Sequence, residues 1–223
     1  KTGEKIGAIV NTGYQTSSRN KLGSATVFGK LSDKVGIVAS VHAINGDNYK
    51  DGHGDEVANS AAKTRDYFIK LNGRSDNGHA IALSHEQYTD SGLRNKRTNL
   101  LPASFNLPEQ QKLTRQSTIL NYDYDNGNPY VNTHVTAYHN DNDIDLGKGT
   151  SSAQKLGTST YGLDVSNISQ VGRHKLTYGL NYRHDKGYAT VAGTRLKDEN
   201  ASVVGLYVQD DVQLAKQLVL TLG

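Results

Sequence analysis

His174-Lys175-Leu176-Thr177-Tyr178-Gly179-Leu180-Asn181-Tyr182-Arg183 alternates along its length. Leu176, Tyr178, Leu180 and Tyr182 fall on one side; Lys175, Thr177, Asn181 and Arg183 fall on the other. A period of two belongs to a β-strand with one apolar and one polar face. The segment before it repeats the pattern, with Tyr161, Leu163 and Val165 against Gly162, Asp164 and Ser166. After it, Val204, Leu206, Val208, Val212 and Leu214 oppose Tyr207, Gln209, Asp211 and Gln213. Asp210 interrupts that apolar face and is expected near a rim. Tyr67, Ile69 and Leu71 oppose Lys70 and Asn72, and Ile81 and Leu83 oppose Ser84 and Glu86.

Extended over the whole chain, this reading predicts eleven strands: 5–15, 22–31, 35–46, 63–74, 79–89, 112–124, 129–141, 159–168, 174–185, 201–214 and from 218 onward. Their connections alternate in length. Short polar turns stand at Ser32-Asp33-Lys34, Ser75-Asp76-Asn77-Gly78, Asp125-Asn126-Gly127-Asn128, Ser169-Gln170-Val171-Gly172-Arg173 and Ala215-Lys216-Gln217. Longer loops are predicted at 47–62, 90–111, 142–158 and 186–200, with a short exception at 16–20. A soluble sandwich has no reason to keep such parity. A transmembrane barrel does, because its two rims face different compartments and short turns gather on the periplasmic side. Each strand is also long enough to cross a bilayer, which takes about 9–11 tilted residues.

Composition agrees. The 223 residues are only 35% hydrophobic and include 23 Gly, and a barrel with a wet lumen needs apolar residues on one face only. Tyr outnumbers Phe 13 to 3, with no Trp; its polar tip suits an interface or a wet lumen. There is no Cys, hence no disulfide or thiolate chemistry. The net charge of +3 comes from scattered Lys and Arg, which argues against a nucleic-acid face. No apolar run approaches the ~20 residues of a transmembrane helix. The chain opens at Lys1 without initiator Met or signal peptide and stops within a strand at Leu222-Gly223, which predicts an internal piece of a longer precursor.

Three stretches resemble one family. Asp47-Asn48-Tyr49-Lys50-Asp51-Gly52-His53-Gly54 is similar to the start of an early external loop in TonB-dependent outer-membrane receptors. Thr160 to Asn167 followed by His174 to Arg183 resembles a barrel hairpin of their haem- and siderophore-type members. Gly205-Leu206-Tyr207-Val208-Gln209-Asp210-Asp211-Val212-Gln213-Leu214, then Leu218-Val219-Leu220-Thr221-Leu222-Gly223, resembles their GLYxQD…L…LxLxxG hairpin, the most specific of the three. The resemblance implies an all-β antiparallel transmembrane β-barrel fragment, about 11 of 22 meandering strands, whose lumen in the family holds a plug. Residues 1–223 would be one partial barrel domain without plug or coupling box. The implied location is the bacterial outer membrane. The implied function is energised import of an iron complex, haem or ferric siderophore, with no enzymatic step. The implied partners are that iron complex, the TonB energy-transducing complex acting through the plug, and outer-membrane lipid and lipopolysaccharide. A passive porin-like channel and a soluble secreted all-β binding protein remain as alternatives.

The resemblance points to external-loop candidates for ligand binding: Tyr49, His53, Arg94, Arg97 and His139. Imidazole and phenolate are axial ligands of haem iron, which singles out His53 in its loop and His139 at a strand end. Solvated or hydrogen-bonded loop histidines are the plainer alternative. Arg94, Lys96 and Arg97 form a basic patch that would steer an anionic chelate or haem propionates, or simply stay solvated or meet lipopolysaccharide phosphates. Pro102, Phe105 and Pro108 in the same loop suggest that it folds over something. Alternation turns His42 and His134 inward and puts His79 and His174 at the periplasmic rim. Inward Lys70, Glu86, Asp164, Lys175, Arg183 and Asp211 need partners on a plug or along the wall. Asp141-Asn142-Asp143-Ile144-Asp145-Leu146-Gly147 has a calcium-loop look, but Leu146 and Ser152 stand where that loop wants Gly and Glu; a hydrated acidic loop is the expectation. No metal site, cofactor or catalytic residue is predicted, and no G-x-S-x-G, H-E-x-x-H or Walker A motif is present.

Overall fold

The computed structural model describes residues 5–96, 100 and 103–223. It is one meandering antiparallel sheet: β1 (Ile6–Gln15), β2 (Asn20–Ser32), β3 (Val35–Asn45), β4 (Lys63–Arg74), β5 (His79–Asn95), β6 (Pro108–Asp125), β7 (Asn132–Leu146), β8 (Gln154–Val171), β9 (His174–Val191), β10 (Thr194–Arg195), β11 (Glu199–Ala215) and β12 (Leu218–Leu222). Each long strand pairs with its neighbour in sequence, and the two-residue β10 folds back on β9. The sheet is open, with β1 and β12 at its edges.

Register makes the two faces plain. Ile37, Leu71, Leu83, Leu120, Ala137, Leu163, Tyr182 and Val204 stand side by side on eight successive strands. One residue away, on the opposite face, stand Gly36, Asn72, Ala82, Asn121, Thr136, Asp164, Asn181 and Gly205. Among the described residues Leu146 is the only buried hydrophobic side chain. A single sheet that covers its apolar face with nothing of its own needs lipid there, so that face is outward and the polar face looks into the lumen. The outward band ends on a polar and aromatic row of His85, Thr118, His139, Tyr161, His184 and Ser202, as expected at a membrane interface. On the inward face, aromatic rings lie over glycines paired with them across the ladder: Phe28 over Gly7, Tyr138 over Gly162 and Tyr207 over Gly179.

Three of the predicted long loops are shorter than expected. The strands run on, leaving connections at 96–107, 147–153 and 192–198; only 46–62 keeps its predicted length. β5 to β9 therefore reach 15–18 residues, more than a crossing requires. Beyond the bilayer the polarity of the faces exchanges on β6 to β9. Lys112, Asp145, Lys155 and Thr190 share an outward row, with Arg195 beyond, and charged residues so placed belong outside the hydrocarbon. The acidic stretch 141–146 lies in β7, paired on both sides, and is neither a calcium loop nor a hydrated one.

At the other rim the expectations hold. His79 and His174 open β5 and β9 directly after short connections. His79 Nδ1 meets the Tyr122 hydroxyl at 2.8 Å, and His174 Nδ1 meets Asp210 Oδ2 at 2.7 Å. That pairing explains how Asp210 interrupts an apolar face: it sits at the rim with an imidazole partner.

Candidate functional site

The inward wall of β4, β5 and β6 carries a compact polar group. Asp66, Tyr88 and Arg115 are register partners. Arg115 Nη2 donates to Glu86 Oε1 at 2.7 Å, and its guanidinium sits 5.6 Å from the Tyr88 ring centroid, a cation–π arrangement. Higher on β5, Arg94 lies 3.8 Å from Asp90. Glu86 faces inward as predicted. Arg115 and Tyr88 were not singled out from the sequence, although carrying the period of two through β5 and β6 puts both on the inward face with Glu86.

Of the other predicted inward charges, Arg183 and Asp211 find partners along the wall, while Lys70, Asp164 and Lys175 form no ion pair among the described residues. Arg183 pairs with Asp185 at 2.8 Å. Asp211 accepts from Thr221 Oγ1 at 2.7 Å and Gln209 Nε2 at 3.1 Å. His134 faces inward, with Nδ1 2.6 Å from Asp123 Oδ1.

The 46–62 connection is folded onto the first hairpin rather than loose. Asp47 N donates to Ser18 O at 2.9 Å and Lys50 N to Ser17 O at 3.0 Å. Its clamp is Asn48, whose Oδ1 accepts from the amides of Ser60 and Ala61, both at 2.9 Å, while Nδ2 donates to Glu56 Oε1 at 2.8 Å. Asn48→Ala strands two amides, a local cost of roughly 1–3 kcal/mol. Hydrogen exchange at Ser60 and Ala61 is expected to accelerate at least tenfold with the overall unfolding midpoint unchanged; unchanged exchange would remove Asn48 from this role.

Tyr49 and His53 both belong to this connection. The Tyr49 amide donates to Ser60 Oγ at 3.0 Å, and the His53 amide donates to Asp51 Oδ1 at 2.9 Å, leaving the imidazole open to solvent. Arg94 lies in β5 rather than in a loop, because β5 continues to Asn95. Its register partner is Glu109, and it shares the inward face with Asp90. His139 is in the middle of β7, not at its end, because the Asn-Asp run after it stays paired. It lies outward between Thr118 and Tyr161, 3.1 Å from Ser159 Oγ, turned away from the lumen. Arg97 and Pro102 lie outside the described residues. Phe105 is 69% exposed.

The 192–198 connection is pinned by charge. Asp198 pairs with Lys186 and Arg195, each at 2.8 Å. The Lys186 hydrogen bond, assisted by Arg195, holds the Asp198 carboxyl below the usual carboxylate range. Arg195 also stacks 4.7 Å from the Tyr188 ring centroid. Partial burial, then the hydrogen bond to Asp143, raises the Tyr188 phenol above its ordinary range.

No family model matches the chain. It is 25% identical to the Heme transporter BhuA of Brucella ovis over 228 aligned positions, covering 99% of this chain and 34% of that protein. Its fold superposes on the FrpB iron transporter of Neisseria meningitidis with a TM-score of 0.81 at 19% identity, over 95% of this chain and 39% of the other. The proteins it resembles are TonB-dependent outer-membrane receptors, and the resemblance runs along nearly the whole chain. The fold is also similar to that of the Serratia marcescens hemophore receptor HasR, solved with its hemophore HasA and heme, at TM-score 0.77 and 15% identity over 95% of this chain and 32% of that one. The chain spans about a third of the length of the relatives it matches. Its fold matches a segment of an outer-membrane β-barrel, and the relatives it matches are outer-membrane transporters and receptors, not enzymes.

Proposed function

We propose that the receptor carrying this segment imports haem across the outer membrane by energised transport. The segment would form the first half of the barrel, around a plug through which the TonB complex acts. The observation that carries the reading is the match to a protein named heme transporter along 99% of this chain. The wall supports it: Arg115, Glu86 and Tyr88 make a charged, hydrogen-bonding inner surface suited to a plug or a passing anion. In the rim connections, Tyr49 and His53 would meet ligand first, with Arg94 on the inward face below; Arg97 belongs to the same proposal.

Growth tests it. An iron-starved strain lacking the gene is expected to fail on haem as sole iron source, to recover when the gene is restored, and to keep growing on ferric siderophores. Loss of growth on a ferric siderophore with growth on haem intact would replace haem by that chelate. Dissipating the inner-membrane proton gradient should abolish uptake; uptake that survives it would point to a passive channel.

A further inference from the structure

Above the bilayer the inward face carries an aliphatic row that the polar lumen does not explain. Leu113, Ile144, Leu156 and Ala189 are register partners on β6, β7, β8 and β9. Leu196 joins them, its amide donating to Ala189 O at 2.9 Å. Ile144, Leu156 and Leu196 are 38%, 37% and 48% exposed, and the row floors an open depression of about 530 Å³. Lipid cannot reach it, because the alternate residues on the same strands, Asp143, Asp145 and Lys155, put this height outside the hydrocarbon and the row faces the opposite way. Aliphatic side chains held open in a wet vestibule cost solvation unless something covers them.

The rim suggests the chemistry of the cover. Lys197 lines one side of the depression and forms no ion pair among the described residues; Glu199, Asn142 and Thr158 also line it. A ferric siderophore presents an oxygen-rich surface and would leave the aliphatic floor without a complement. A tetrapyrrole presents an apolar face and carboxylates on one edge, and the depression falls within the ordinary size of small-molecule sites, about 300–1,000 Å³.

We propose that this row is a docking surface for a flat, carboxylate-bearing tetrapyrrole. The ring rests on Ile144 and Leu156, and its carboxylates point to Lys197 and away from Glu199. The surface holds the ring without ligating its iron. The inference rests on the haem reading above and deepens it.

The test uses the full-length receptor in detergent, titrated with haem and read by Soret absorbance. Ile144→Asn and Leu156→Asn are expected to weaken binding by about tenfold or more, since each removes apolar contact area. Lys155→Gln, on the outward face of β8, should leave it unchanged. Haem dimethyl ester, which lacks free carboxylates, should bind the native receptor several-fold more weakly than haem and bind Lys197→Ala as tightly as haem does. This second comparison stands even if an Asn variant folds poorly. Native haem affinity retained in well-folded Ile144→Asn and Leu156→Asn, or an ester penalty that persists in Lys197→Ala, would overturn the docking surface and leave haem import standing. A native receptor that binds no haem but binds a ferric siderophore would overturn both.

Discussion

Leu180→Lys should lower the receptor's unfolding free energy by about 2–4 kcal/mol, while Asn181→Lys, one residue further, should leave it within about 1 kcal/mol. Leu180 stands outward between Val165 and Leu206, with Tyr178 and Tyr182 two residues below and above it. A lysine there puts an ammonium against hydrocarbon on every side, and it must stretch for the interface or stay desolvated. Asn181 points the other way. Its register partners are Asp164 and Gly205, and Asp164 forms no ion pair among the described residues. A lysine at 181 therefore gains an anion in a hydrated lumen. Urea unfolding in lipid vesicles, followed by heat-modifiable gel migration, measures the pair. Equal costs at the two positions would mean that the faces are assigned wrongly.

Gly78→Ala is expected to cost about 2–5 kcal/mol, and Gly127→Ala only about 1–2 kcal/mol. The two glycines have nearly the same left-handed backbone, with φ of 84° and 82°. What differs is the space around them. A Cβ on Gly78 would run into the backbone carbonyl of Asp125 in the next hairpin, whereas one on Gly127 meets nothing within 4 Å. Gly78 O also accepts the Asp125 amide at 2.9 Å, so movement to relieve the clash would loosen a bond between hairpins. The same unfolding assay reads both. A Gly127 cost as large as that of Gly78 would assign the effect to backbone conformation alone, with no part for the inter-hairpin contact.

The middle of each strand was legible because lipid on one side and water on the other write a period of two directly into the residues. The strand ends were not. Past the bilayer β6 to β9 turn a charged row outward and an aliphatic row inward, while β5 keeps Arg94 inward and Leu93 outward, so the apolar signal changes sides from strand to strand and alternation ceases to identify a strand. Asn140 to Asp145 shows the difficulty. Asn and Asp favour turns, yet here they are held as strand by complete ladders to β6 and β8. Reading a loop from 142 onward put His139 at a strand end, and the same kind of extension moved Arg94 into β5. Arg115 was missed for the same reason in reverse, since inward residues gain their meaning from neighbours on adjacent strands.

The glycines beneath Phe28, Tyr138 and Tyr207 decide how far those rings stand off the inward wall. Each ring lies down on the wall because its partner across the ladder has no side chain to prop it up. A methyl group at Gly7 or Gly162 would force the ring off the wall, and one at Gly179 would also meet the backbone oxygen of Val165. The wall thus offers aromatic surface to whatever occupies the barrel while keeping the clearance of a wall without rings.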